Sequence, residues 1–452
     1  METMSSSIFG TTGVRPPWLV VCLSLLLCCG PLAAQQNEEQ TSPSEADAEA
    51  EAAVAAEIGT EAEKAAAFEE LNEVAGTTSR KDEAALNEDP EAQRRTRIEE
   101  RPLLRALWPN LEYYGSVRLH LINNFDIDNQ ITETALGDGA SRVGLRAEWQ
   151  LSPNWWVFGR AEGGFDVLDT FTAKTGEDEG KGLTNRLLHG GFDSKNLTLT
   201  YGKSWSAYYK IAGITDRFSI FGGSAAGIYN AGTDGGATGM GRADEVLQAR
   251  IFTNSLSALN IRPFNLNLQY QHGNPIPQVE GKNYGKAFGG SAWLETESDN
   301  GLGIAYQRSE IDEPRDPLVE AAGIDGHAKA LALAFRTYGE RWYAALVLAR
   351  LENVETTDQN KYVNGEGAEF YAQWQFRDRW WLIGGGNWFR PDEDDPQAEE
   401  YELLYGVIGL RYTFDSFRRM IYAEYRIAGG TLADGTPTKN ELTLGFRWDF
   451  GH

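Results

Sequence analysis

The chain has 452 residues and a net charge of −25, with 66 acidic side chains against 41 basic ones. That balance is not one expected of a nucleic-acid binder, and no nucleic-acid partner is expected. Hydrophobic residues make up 41% and aromatic residues 11%, with 49 Gly and 13 Trp, so the chain can order a large fold without being apolar throughout.

The N-terminus reads as an export signal. Arg15 precedes the apolar run "WLVVCLSLLLCC" (18–29) and a small-residue stretch "GPLAA", which together give basic, apolar and cleavage regions. Cleavage is expected after Ala34, so 1–34 is the signal peptide. The run is too short to span ~30 Å of hydrocarbon. All three cysteines lie within it, so an exported chain would carry no disulfide. Residues 35–110 form an acidic extension, disordered or partly helical. Residues 35–100 hold 19 acidic and 6 basic side chains and few large apolar ones, too little to build a core.

From Leu111 to the end, at 452, the period becomes two. In "LEYYGSVRLHL", Leu111, Tyr113, Val117, Leu119 and Leu121 alternate with Glu112, Tyr114, Ser116, Arg118 and His120. In "SRVGLRAEWQL", Val143, Leu145, Ala147, Trp149 and Leu151 alternate with Arg142, Arg146, Glu148 and Gln150. One apolar and one polar face is the pattern of a strand with lipid outside and water inside. Sixteen such segments are expected, beginning near 111, 141, 155, 186, 197, 245, 264, 287, 301, 327, 341, 367, 380, 401, 419 and 440. Short connections such as "SPN" (152–154) and "RDR" (377–379) alternate with long ones such as 166–185 and 352–366. Short inner turns and long outer loops are what a transmembrane barrel requires. The fold class expected is therefore all-β, a transmembrane antiparallel β-barrel of about 16 strands behind an acidic N-terminal extension lying in the periplasm. Paired aromatics near strand ends, such as Trp155–Trp156 and Trp380–Trp381, suit interfacial girdles.

Nothing points to catalysis. The five histidines show no metal-ligand spacing, the export-processed chain would have no cysteine, and no phosphate-cradling Gly-Lys-Ser/Thr loop or local nucleophile–base pair is seen. No enzyme activity, cofactor or metal is expected. The acidic run at 391–396 reads as a solvated outer loop.

Several segments resemble the trimeric general diffusion porins of the Gram-negative outer membrane. These are "YGSVRLHL" (114–121), "SRVGLRAE" (141–148), "NRLLHGGF" (185–192), "NLTLTYGKSW" (196–205) and "GRADEVLQAR" (241–250). The resemblance covers 111–252 in motif and the remainder in pattern. It implies a homotrimer in the outer membrane, in contact with its lipid and lipopolysaccharide, passing ions and small hydrophilic solutes by passive diffusion. It also implies that the loop at 204–240 folds inward as a constriction and carries acid opposite wall arginines, giving a transverse field. On that reading Asp216, Ile220, Phe221, Gly222 and Gly223 form the constriction. Ile220 stands where the family keeps a second acid. Arg142, Arg186 and Arg250 match the family's wall arginines. Arg118 stands two residues beyond Ser116, which replaces a fourth basic position. Arg146 and Arg160 join the wall by strand parity. A substrate-selective channel for sugar or phosphate, and a barrel tethered to the envelope by its acidic arm, are the alternative readings.

Overall fold

The computed structural model describes residues 111–126, 130–168, 183–252, 264–296, 300–415 and 418–451. The expected signal peptide and acidic extension lie outside them. The strands are β1 (Leu111–Phe125), β2 (Ile131–Asp138), β3 (Arg142–Ser152), β4 (Trp155–Gly164), β5 (Thr184–Ser194), β6 (Leu197–Trp205), β7 (Arg242–Phe252), β8 (Asn265–His272) and β9 (Tyr284–Glu295). They continue as β10 (Gly301–Ile311), β11 (Ala328–Tyr338), β12 (Trp342–Thr356), β13 (Tyr362–Arg377), β14 (Trp380–Pro391), β15 (Leu403–Asp415), β16 (Arg419–Ala428) and β17 (Glu441–Gly451). Two short helices stand in loops, α1 (Tyr209–Ala212) and α2 (Pro317–Ala321).

Each strand pairs antiparallel with its neighbours, and β1 pairs β17 from Tyr114↔Gly451 to Asn124↔Glu441. The sheet therefore closes on itself, and among the described residues only the short β2 is paired on a single side. The seventeen segments make sixteen barrel positions, because β2 and β3 occupy successive parts of one position beside β1. The break between them is built locally. Ala140 takes a positive φ of 67°, the Asp138 carboxylate accepts from Ser141 N–H at 2.7 Å, and Gly139 N–H donates to Arg118 O at 2.9 Å. Ser141 Oγ accepts from Arg118 N–H at 2.9 Å. This irregularity re-aims the wall beside Arg118, as bulges commonly do.

Strand parity matches the sequence pattern. On β10, Leu302, Ile304 and Tyr306 are exposed outward, while Ala305, Gln307 and Ser309 are buried inward. Two expectations need revision. The connection expected at 352–366 is mostly strand, since β12 runs to Thr356 and β13 starts at Tyr362. The inward face is also not polar all round. On β11, Ala328, Ala330, Ala332 and Ala334 face inward, each at most 2% exposed, and β12 adds Ala345, Val347, Ala349 and Leu351. These small apolar residues belong to a large hydrophobic cluster, which also contains Ile214, Phe218, Phe221 and Ile228 from the segment between β6 and β7. The apolar part of that segment lies on this wall inside the barrel.

Candidate pore constriction

The segment between β6 and β7 is made compact by its own hydrogen bonds. Asp216 accepts from Tyr229 Oη at 2.7 Å and Tyr209 Oη at 3.1 Å. Gly222 lies so close to Asp216 that a Cβ would stand 2.6 Å from its Oδ1. Gly223 has φ +71° and sits against the Tyr229 ring, so both positions exclude a side chain on steric grounds. The "FGG" turn follows from these contacts.

Lumen-facing side chains of seven strands then hold the loop. On β13, Glu369 accepts from Thr215 Oγ1 at 2.5 Å and from the backbone N–H groups of Ala225 and Ala226 at 2.8 and 2.9 Å. On β16, Glu424 accepts from the N–H groups of Ser219 and Ile220 at 2.6 and 3.2 Å. Arg411 of β15 bridges Glu424 at 3.2 Å and Arg217 O at 2.6 Å. Tyr405 of β15 and Asn387 of β14 donate to Phe221 O, and Tyr343 of β12 donates to Ile214 O at 2.7 Å. At the other end, Gln269 of β8 spans Ala207 N–H and Gly239 O, and Gln307 of β10 donates to Thr238 O. Buried carboxylates that accept several N–H groups compensate their own desolvation and satisfy loop donors that would otherwise be orphaned.

The arc from β17 through β1 to β5 carries the opposing charge. Glu162 of β4 pairs with Arg160 at 3.0 Å and Arg186 at 2.9 Å, and Tyr114 Oη donates to it at 2.9 Å. Asp449 of β17 accepts from Arg447 Nε at 2.8 Å and from Ser116 Oγ at 2.5 Å. Arg118 Nε donates to Ser116 Oγ at 2.8 Å. The charges of Arg118, Arg142, Arg186 and Arg447 act on one another, which places them in one cluster.

The structure thus brings Arg118, Arg142, Arg160 and Arg186 together. Arg146 lies over the Tyr114 ring at 4.7 Å, in register between Glu112 and Arg160. Arg250 is not brought to the cluster. It pairs with Thr198 near the start of β6 and lies over the Phe252 ring, eight residues from Arg242, or ~26 Å at the usual rise. Arg242 holds the place beside the loop, bonded to Asp234 at 3.1 Å. Lys203 pairs with Asp234 at 2.9 Å and Asp244 at 2.5 Å. Burial pushes the Asp234 carboxyl up, but Lys203 and Arg242 more than offset it and hold it below its ordinary range.

Among the loop candidates, Phe221 is 5% exposed and packs on the wall, so it anchors the loop and does not line the lumen. Ile220 packs at the edge of the hydrophobic cluster, with Cδ1 3.6 Å from where a Cβ would stand on Gly139. Asp216 is half-buried within the loop. Burial raises its carboxyl above the ordinary aspartate range, and the hydroxyls of Tyr229 and Tyr209 with the charges of Arg242 and Arg118 only partly oppose this. Sequence reading missed Arg447 and Arg242, and the anchors Glu369, Arg411 and Glu424. All but the anchors' loop partners were legible as polar residues at inward parity.

No family model and no curated protein matches the chain. Solved structures do. OmpF of Salmonella typhi, in complex with daunomycin, aligns with a TM-score of 0.61 at 19% identity, over 75% of this chain and 98% of that one. The outer membrane channel DcaP of Acinetobacter baumannii aligns at 0.55 and 14% identity, over 75% and 97%. An anion-selective porin from Comamonas acidovorans aligns at 0.53 and 14%, over 75% and 99%. The chain has the sixteen-stranded barrel fold of these Gram-negative outer-membrane channels.

Proposed function

We propose that this protein is a porin of the Gram-negative outer membrane, a water-filled channel through which ions and small hydrophilic solutes diffuse passively. One observation carries the reading. A closed barrel is narrowed from inside by a loop bound to one wall, and the opposite wall keeps a cluster of arginines. A loop pinned by Glu369 and Glu424 sets a fixed width, and charged groups on the free wall filter by sign. No step of such transport needs a cofactor or an energy source. The exposed apolar outer face, with residues such as Leu302, Ile304 and Leu333, meets lipid, and lipopolysaccharide surrounds the outer end. The protein assembles as a homotrimer, and its acidic arm lies on the side of the short turns, in the periplasm.

The test is single-channel recording in planar bilayers with purified protein, shown to be folded by heat-modifiable gel mobility. Stepwise conductance, with closures in three equal levels, is expected. Folded protein that gives no conducting step overturns the channel reading. Steps without threefold closure overturn the trimer alone.

A further inference from the structure

The wall cluster is not electrically balanced, and the imbalance falls on two residues. Five guanidiniums, those of Arg118, Arg142, Arg160, Arg186 and Arg447, stand beside two carboxylates. Glu162 is taken by Arg160, Arg186 and the Tyr114 hydroxyl. Asp449 is taken by Arg447 and Ser116. Arg118 is left with a neutral hydroxyl, Ser116 Oγ. The Arg142 guanidinium makes no hydrogen bond or ion pair with any described residue, and it feels the Glu162 charge without a direct bond to it. The two are close in the wall, since Arg142 is in register with Ser116, two residues from Arg118.

The loop does not supply the missing negative charge. At its edge beside the Arg118 wall stands Ile220, an aliphatic side chain. Its acid, Asp216, spends both carboxylate hydrogen bonds of Oδ2 on Tyr209 and Tyr229. The aspartates farther along, Asp234 and Asp244, are matched by Lys203 and Arg242. The cluster keeps three positive charges in excess over its own carboxylates, and two after counting Asp216.

We propose that the constriction prefers anions, and that Arg118 and Arg142 together form a transit site for small oxyanions of the phosphate or carboxylate kind. The inference rests on the channel reading and names its substrate class. A planar guanidinium offers paired donors that match an oxyanion edge. Two of them, side by side and with no carboxylate hydrogen-bonded to either, recover in an anion the hydrogen bonds the protein does not provide. The site lies in a wet lumen, so binding is weak enough for release, which conduction requires.

The experiment is the zero-current potential across a bilayer in a potassium chloride gradient at low ionic strength, where screening is least. The wild type is expected to give the sign of chloride preference. Arg118→Ser with Arg142→Ser is expected to lower the chloride-to-potassium permeability ratio by up to about 25-fold per charge removed, about fivefold against chloride and about fivefold for potassium, the effect of a unit charge about 4 Å away in water, while keeping conductance steps. Arg250→Ser, equal in charge but remote from the cluster, is expected to leave the ratio within twofold of the wild type. Inorganic phosphate is then added to chloride-conducting channels. It is expected to reduce the current in the wild type and in Arg250→Ser, and to lose that effect in the double variant. Succinate run in parallel distinguishes a phosphate site from a general carboxylate site, and either result supports the shared oxyanion chemistry. Conducting wild-type channels that prefer potassium overturn the inference and leave the channel reading standing. A phosphate effect that survives in the double variant, or an equal shift from Arg250→Ser, overturns the assignment to Arg118 and Arg142. Folded protein without any conductance overturns the channel reading itself.

Discussion

At the scale of single residues, Asp216 shows how a sequence match and a physical role diverge. Its identity and spacing suggest a pore-facing acid, but its carboxylate is the brace of the loop, bonded to Tyr209 and Tyr229. Ile220 is informative in the opposite sense, because without an acid there the loop carboxylate whose charge acts on Arg118 is Asp216, already bonded to Tyr209 and Tyr229. Arg242 and Arg250 share parity in the sequence, but a bulge between Ala243 and Val246 shifts the register, so they oppose Trp205 and Thr198, and neither the bulge nor depth along a strand leaves a mark in a period-two pattern. Burial lifts the Asp216 carboxyl above the ordinary aspartate range, against the donors Tyr229 and Tyr209 and the charges of Arg242 and Arg118. The folded protein therefore holds this proton to a higher pH than the unfolded chain does. The associated stability is present at low pH and is lost as pH rises from the unfolded to the folded pKa. In permeation the sign is simple, since protonation deletes a negative charge near the cluster. Acidification is expected to raise the chloride-to-potassium ratio in a step lying above the ordinary aspartate range. Asp216→Asn is expected to give the acidic value at every pH, and Tyr229→Phe to move the step upward by removing the 2.7 Å donor. A step that persists in Asp216→Asn would show that another group titrates.

At the scale of elements, the strands were readable and the loop's support was not. Alternation locates the strands because lipid and water impose opposite demands every second residue. It failed at β2, "ITETALGD", where Thr and Ala blur the two faces and the residues are mostly exposed. It also failed to show where inward residues turn apolar for a reason. The run Ala328, Ala330, Ala332 and Ala334 resembles weak alternation, but it is the seat of the loop. The anchors Glu369 and Glu424 meet loop residues 143 to 205 positions away, a separation that no local pattern reports. Glu369 satisfies two loop N–H groups and one hydroxyl, so Glu369→Ala leaves donors orphaned inside the barrel, at about 1–3 kcal/mol each if water does not replace it. The expected outcome is a barrel that still shows heat-modifiable mobility but has a larger, noisier conductance, as the loop leaves the wall. Ala332→Leu tests the same contact from the apolar side. Overpacking a full seat costs about 1–3 kcal/mol, and the same rise in conductance noise is expected. Unchanged single-channel traces in both variants would mean that the loop is held by the remaining anchors alone.

At the scale of the whole molecule, the two ends of the barrel are built differently. At the end of the short turns, connections such as 378–379 are only long enough to reverse the chain. At the other end, the long connections are tied to one another. Lys282 reaches Glu313 at 2.7 Å and Asp316 at 2.5 Å, Tyr362 Oη donates to Pro277 O at 2.8 Å, and Lys361 Nζ donates to Ala321 O at 2.6 Å. Ala433 N–H donates to Asp358 at 2.7 Å, and Arg350 clasps Asp392 through two bonds of 2.6 Å. The acidic run at 391–396 is thus partly structural, since Asp392 and Asp395 hold neighbouring chain. The ties continue inward, where Gln278 Nε2 donates to Ala231 O of the constriction loop. Tyr362 stands at the centre of this set, with no exposed side chain and with its N–H on Ala322 O. Exposed pairs such as Lys282 and Glu313 contribute little alone, so the buried ring is the better place to break the set. Tyr362→Ala removes a large buried aromatic, a loss of about 3–5 kcal/mol in ordinary cores, releasing Pro277 O and opening the cluster that also holds Val319 and Ile324, although the backbone bond to Ala322 O is kept. Protease applied from the outside is expected to cut within 312–327 in this variant and to spare the wild type, while strands stay protected by their closed ladder. Tyr362→Phe keeps the ring and loses the hydroxyl's contacts, the bond to Pro277 and the interaction with Tyr284, and it is expected to remain resistant. Equal cutting in Tyr362→Phe and Tyr362→Ala would assign the cohesion of this end to the hydroxyl's contacts and not to burial.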